Sequence, residues 1–425
     1  MKDKIKISSE KGNVDYEFLK QRKLNYDHES ENIYYNKENE IKKPFSNNND
    51  NININKKFQK KIRNPGIDLV RLIGMYCIIL NHFLTKGRAY KKFSRSRDKL
   101  FILKIFTDWD NDGFALISGI VGYKTNRYSN LLYLWITVLF YTVGINLYIG
   151  IFKKSLPVRN NISIEFFPII FRRYWYFTAY FGMYLLLPII NKGIAYLTKQ
   201  ELKLVVLSTL GIFVFWRDFK NPNNDVFNLN QGFSLIWLLI YYITGAYIGK
   251  YRNDYYGFKK FFYCIIYINI YMFSTFLYIK IKKRIIYLGK EHHKHQIINI
   301  LNKMLNERYD SFLKISQSIT ICLFFLQINF NKYFSKIITF LAPLAFGIYL
   351  IHMHPLFKLN ILPHSFDNEK DDRSAKSIII LLLMKSLKLF IFCIFIDYFR
   401  NLLFSILKIK NICFFIEAII YKIFN

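Results

Sequence analysis

The sequence predicts an all-α, polytopic membrane protein with about ten transmembrane helices. Three observations carry that prediction. From Pro65 onward the apolar residues come in blocks of about 15 to 25, the length a helix needs to cross ~30 Å of hydrocarbon. The chain is 52% hydrophobic and 19% aromatic, and lysine-rich polar stretches separate the blocks. In the first block the ionisable residues fall on one face, as expected of a membrane helix that lines a protein-enclosed site.

Three regions follow from this pattern: a polar tail (1–63), a membrane domain (64–404) and a C-terminal segment (405–425). The tail is rich in Lys, Asn and Glu, with the tract Ser46-Asn-Asn-Asn-Asp-Asn-Ile-Asn. It cannot bury enough apolar surface to offset its ordering entropy and is predicted to be disordered. Its start, Met1-Lys-Asp-Lys-Ile-Lys, has no apolar core of a signal peptide, so the first membrane helix is expected to act as its own insertion signal.

The membrane segments are predicted near 66–85, 112–123, 131–152, 174–191, 202–216, 233–249, 258–280, 312–330, 337–357 and 376–404. The second is too short for a straight crossing unless its helix extends back through 101–109. Residues 405–425 hold an apolar run interrupted by Glu417, which reads as an amphipathic interfacial helix; a second reading places two crossings within 376–425. The lysine-rich tail and the 250–260 loop favour a cytoplasmic N-terminus. The 280–310 insertion, with Glu291-His-His-Lys-His-Gln, opposes it. No internal repeat supports an inverted-repeat transporter.

The formal charge of +32 comes from 61 Lys and Arg against 29 Asp and Glu. The lysines are scattered over nearly every loop of a chain that partitions into lipid, so no nucleic-acid partner is predicted. Attraction to the anionic headgroups of the bilayer accounts for the excess. The five cysteines lie in apolar stretches with no CxxC pair, and neither a disulfide nor a metal site is expected.

Four stretches carry candidate chemistry. In Gly66-Ile-Asp-Leu-Val-Arg-Leu-Ile-Gly-Met-Tyr-Cys-Ile-Ile-Leu-Asn-His82, Arg71 and His82 are eleven positions apart. That is about 20° past three helical turns, with ~16 Å of rise between them, and Asp68 lies within about 40° of the same stripe. Snorkelling from the segment's ends and lining of an enclosed site are both open readings. In Asp110-Asn-Asp-Gly-Phe-Ala-Leu-Ile-Ser-Gly-Ile-Val-Gly122, the small residues Gly113, Ser118, Gly119 and Gly122 allow close helix approach. In Arg172-Arg-Tyr-Trp-Tyr-Phe through Pro188-Ile-Ile-Asn191, Trp175 and its tyrosines suit an interfacial belt, and Pro188 a kink or a helix end. In Phe346-Gly-Ile-Tyr-Leu-Ile-His-Met-His354, an i, i+2 histidine pair points about 200° apart, so a helix-terminal polar network fits better than a shared metal.

In this order, the four stretches resemble the acyltransferase-3 family of integral-membrane acyltransferases. The similarity runs from about Pro65 to Leu403. It rests on Asp68-x-x-Arg71 with His82 eleven residues on, Phe114-Ala-Leu-Ile-Ser-Gly119, Trp175 through Pro188-x-x-Asn191, and Tyr349-Leu-Ile-His352. Many members carry two basic residues before the third membrane helix. Here Arg127 is present, with Asn130 where the second is common, and Asp112 stands where relatives more often have a neutral residue.

The resemblance implies a membrane-bound O-acyltransferase that moves an acyl group, usually acetyl, from acyl-coenzyme A to a hydroxyl of a cell-surface or secreted glycan. It implies no permanently bound cofactor. It places the protein in a plasma membrane or a eukaryotic secretory membrane. His82 then becomes the catalytic base or an acyl carrier, since imidazole titrates near neutrality. Arg71 becomes an anchor for donor phosphates or for Asp68, and Lys124 and Arg127 become donor-binding candidates. Ser118, Trp175, Asn191 and His352 complete the candidate site. The competing readings are a glycan or metabolite exporter that uses the same stripe, and a catalytically degenerate member.

Overall fold

A computed structural model gives the fold, with residues 63–125, 127–152, 162–216, 225, 227–252, 260–288 and 309–424 described. Residues 1–62 of the predicted tail (1–63) and the histidines of the 280–310 insertion lie outside the described residues. Residues 63–413 pack as one unit, and the segment 414–425 groups apart from it.

No strand occurs among the described residues. The central helix α1 (Pro65–Thr85) begins where its sequence dictates. Asn64 is extended and its side-chain oxygen accepts from the N–H groups of Gly66 and Ile67, while Pro65 occupies the first helical position. Gly66 lets α1 meet the helix carrying Phe325, because a Cβ there would lie 2.0 Å from the Phe325 carbonyl oxygen.

The backward extension that would let the second segment cross straight is not present. The chain forms two helices, α2 (Arg97–Thr107) and α3 (Asp110–Gly122), with Asp108 and Trp109 between them. Tertiary bonds hold this break. Asn81 of α1 donates to the Thr107 carbonyl at 3.1 Å and accepts from its hydroxyl at 2.8 Å. Asp108 pairs with buried Lys314 at 2.6 Å, and the Trp109 carbonyl accepts from Ser318 at 2.8 Å. At the break the Asp108 carboxylate is anchored by Lys314, and the freed Trp109 carbonyl finds its partner in the Ser318 hydroxyl.

The helices α4 (Tyr128–Phe152), α5 (Ile162–Phe166), α6 (Trp175–Tyr196), α7 (Lys199–Leu210) and α8 (Leu235–Lys250) follow. Pro188 lies inside α6, which continues to Tyr196. α3 and α8 pack backbone to backbone. A Cβ on Gly119 would sit 2.0 Å from the Tyr242 carbonyl oxygen, and one on Gly245 2.1 Å from that of Leu116. Of the small residues predicted to allow close approach, Gly119 and Gly122 form this seam, matched by Gly245 and Gly249 on α8, while Gly113 lies against Trp109.

The remaining helices are α9 (Lys260–Leu288), α10 (Phe312–Leu326), α11 (Lys332–Leu341), α12 (Ala345–His352), α13 (Ala375–Ile406) and α14 (Ile409–Phe424). The tenfold count of crossings is not reproduced. Each predicted segment is helical, but among the described residues five stretches are long and apolar enough to cross a membrane: Pro65–Thr85, Tyr128–Tyr148, Phe262–Ile281, Lys332–His352 and Ala375–Ile406. Gly113–Gly122, Leu235–Lys250 and Phe312–Leu326 are apolar but shorter. In the separate segment, Phe415, Ile419, Ile420 and Ile423 are exposed on the helix end.

One buried ionic group ties α4, α12 and α13 together. Arg400 grips Asp397 through Nε at 2.9 Å and Nη2 at 2.7 Å, and Tyr141 donates to the same carboxylate at 2.6 Å. Tyr133 accepts from Arg400 at 3.0 Å. The carboxylate lies against Gly347, where a Cβ would be 1.9 Å from Oδ1.

Candidate active site

α1 presents its polar stripe as predicted, but its two ends do different things. At the first end Asp68 is buried, and its Oδ1 accepts from Arg71 at 2.9 Å and from Arg63 at 2.9 Å. Arg71 keeps 22% of its side chain accessible, so it is held by Asp68 in a half-buried position. At the second end, about 16 Å further along the axis, His82 is half-buried.

His82 meets His352, the last residue of α12. His82 Nδ1 lies 3.2 Å from His352 Nε2, and His352 is 1% exposed. The direction of this bond follows from the next one. His352 Nδ1 lies 2.6 Å from the Ile348 carbonyl oxygen, which can only accept, so that nitrogen carries the proton. With the ring neutral, His352 Nε2 is the acceptor and His82 Nδ1 the donor. His82 Nε2 is left with its lone pair, on the more accessible of the two rings. An acid holds a histidine tautomer this way in other hydrolytic and transfer sites; here a second, buried imidazole does it. His354 has no part in the pair: it is buried, and its Nδ1 accepts from the Leu356 N–H at 3.4 Å.

A row of aromatic rings leads away from the pair. Tyr349 lies 6.3 Å from His352 and 6.3 Å from Tyr176, centroid to centroid. Tyr176, Tyr180 and Tyr184 then follow at four-residue spacing on one face of α6, 6.1 and 6.0 Å apart. The Tyr180 hydroxyl reaches Ser118 at 3.4 Å and lies within electrostatic range of Arg71. Ser118 also bonds back to the Phe114 carbonyl at 2.8 Å, so it joins α3 to α6.

The row ends at the turn after α3. Tyr184 donates to the Arg127 carbonyl at 3.1 Å. Asn191 donates to the Thr125 carbonyl at 3.2 Å and accepts from the Tyr242 hydroxyl at 2.8 Å. Asn191 therefore holds the turn that carries exposed Lys124 and half-buried Arg127. Trp175 stands at the opposite end of α6, its ring 4.5 Å from Phe233 in an edge-to-face contact.

The structure thus groups Asp68 with Arg71, His82 with His352, and Asn191 with the Lys124–Arg127 turn, while Ser118 stands between the groups. Sequence reasoning did not pair His82 with His352, nor single out Tyr180 and Tyr349. The four-residue spacing of Tyr176, Tyr180 and Tyr184 was the available signal for the row.

A family model described as an acyltransferase domain matches residues 64–397. The chain belongs to the acyltransferase-3 family. No curated protein and no solved structure matches it. Membership and the long apolar helices make it an integral-membrane acyltransferase. The family match spans every candidate residue, from Asp68 to His352.

Proposed function

We propose that this protein transfers an acyl group, most simply acetyl, from acyl-coenzyme A to a hydroxyl of a cell-surface or secreted glycan, with His82 as the general base. The observation that carries the reading is the unprotonated Nε2 of His82, oriented by the bond from its Nδ1–H to His352.

In the reaction, His82 Nε2 takes the proton of the acceptor hydroxyl as that oxygen attacks the thioester carbonyl. The C–S bond breaks, the ester forms, and the proton passes from His82 to the departing thiolate. The imidazolium present in between is stabilised through Nδ1–H by His352. Arg71 and the Lys124–Arg127 turn are the cations suited to the donor's phosphates, and Asp68 orients Arg71. Asn191 positions the turn, Ser118 and Tyr180 line the path between, and Trp175 packs its far end. The lipid bilayer is the third partner, in a plasma membrane or a eukaryotic secretory membrane.

The test is donor turnover by the purified chain in lipid nanodiscs with radiolabelled acetyl-coenzyme A. Wild type is expected to turn the donor over, and His82→Ala to be slower by about 10²- to 10⁴-fold with unchanged expression. An active His82→Ala enzyme removes His82 from the chemistry. A wild type that ignores the donor removes the acyl-transfer reading.

A further inference from the structure

Two lysines stand at the His82 end of α1 and in the turn after α12, and among the described residues neither has an acidic partner. Lys86 caps α1 one turn beyond His82, its backbone N–H donating to the His82 carbonyl at 2.8 Å, and its side chain is exposed. Lys358 is half-buried in the π-helical turn Phe357–Ile361 that follows α12. Lys86 is thus one turn past His82, while Lys358, its N–H donating to the His354 carbonyl at 2.9 Å, lies in the turn after α12, whose last residue His352 lies 3.2 Å from His82, so both lysines are brought to the same end of the histidine pair.

The surrounding loop treats its other cations differently. Lys92 pairs with Asp371 at 2.9 Å, and Lys385 and Arg373 pair with Glu369 at 3.0 and 2.6 Å. Among the described residues no acid pairs with Lys86 or Lys358. Like charges gathered at one end of the pair repel one another, and a bound anion relieves that repulsion and adds charge-assisted contacts.

We propose that Lys86 and Lys358 form an anion subsite next to His82 that takes a carboxylate or phosphate carried by the acceptor, so that the glycan acylated is an acidic one. The assignment of this anion to an acceptor rests on the acyl-transfer reading of His82. Burial, with Lys86 adding to it, draws the Lys358 ammonium below the usual lysine range. A cation in that setting gains more from a bound anion than a fully solvated lysine does.

The test is binding of a fluorescent tetragalacturonate and of its methyl ester, the same sugar without charge, to the full chain in nanodiscs of zwitterionic lipid. Wild type is expected to bind the charged form at least tenfold more tightly. K86Q/K358Q should bring the two forms within twofold, K86R/K358R should keep the preference, and the exposed-lysine control K91Q/K99Q should leave it unchanged. Equal affinities, no binding of either form, or a preference that survives K86Q/K358Q would overturn the subsite. In nanodiscs containing phosphatidylglycerol the charged oligomer should stay bound; its displacement would assign the lysines to a lipid headgroup and overturn the acceptor assignment. No donor is present in these measurements, so their outcome is independent of whether acetyl-coenzyme A is turned over.

Discussion

Replacing His352 with phenylalanine removes its bond to His82 along with its Nδ1–H donation to the Ile348 carbonyl, and only the first of these changes as His82 gains a proton. The ring volume is kept in a site that is 1% exposed, while the acceptor for His82 Nδ1–H, now at 3.2 Å, is lost. In the ground state that bond joins two neutral rings and is worth about 0.5–1.5 kcal/mol; once His82 has taken the acceptor's proton the bond is charge-assisted and worth about 1.5–3 kcal/mol. The difference, about 1 to 2 kcal/mol, is felt only as the reaction proceeds. At about 1.4 kcal/mol per tenfold it predicts a kcat about 5- to 30-fold lower, with donor KM little changed. Steady-state release of coenzyme A, followed by a thiol reagent, measures both constants. His82→Ala should cost far more, and the double variant should be no slower than His82→Ala alone, because the bond acts only through His82. A wild-type kcat for His352→Phe, or effects that multiply in the double variant, would refute the orienting role.

Arg71→Lys keeps the charge but loses the planar fork, and is expected to raise donor KM several-fold with kcat nearly constant; an unchanged KM in a poorly folded protein would make Arg71 a structural partner of Asp68 only. Gly119→Ala places a methyl 2.0 Å from the Tyr242 carbonyl oxygen, so α3 and α8 must separate, at about 1–3 kcal/mol, read as a lower thermal midpoint in detergent. Asp397→Ala leaves Arg400 buried without its partner and is expected to cost about 3–5 kcal/mol, whereas the exposed Asp98→Ala should leave the midpoint unchanged. Glu369 is held below the usual carboxylate range by its hydrogen bond to Lys385. A depressed folded-state value gives stability that is present above the unfolded carboxylate range and lost as pH falls through the folded value. Proteolysis of the loop around Glu369 should therefore rise on acidification in wild type, and be pH-independent and already elevated in Glu369→Gln.

Much of α1 could be read in advance. Helical periodicity alone put Asp68, Arg71 and His82 on one face, and the i, i+3 spacing of Asp68 and Arg71 is that of the ion pair they form. Ten apolar segments were likewise recovered as helix, because burial of side chains and internal satisfaction of the backbone both demand it. The number of crossings was not legible, since an apolar block of 10 to 17 residues is equally at home inside a bundle. The break at Asp108 was hidden because it depends on Lys314 and Ser318, which are distant in sequence. The His82–His352 pair was hidden for the same reason: the two rings are 270 positions apart, and no local pattern in either helix records the other. The Asp397–Arg400 group could have been found, as two charges in the apolar run of 376–404 are costly unless paired.

The missing side chain of Gly347 fixes a depth. Sliding α12 by one turn, about 5.4 Å, would bring Ile351 or Pro343 to the place where the Asp397 carboxylate now fits. Neither could enter it. The helix therefore has a single register against α13, and His352, five residues further on, is set at one level in the bilayer as if by a stop on a ruler. On the proposed reading, His82, bonded to His352, is held at that level too, and the donor and acceptor are brought to it.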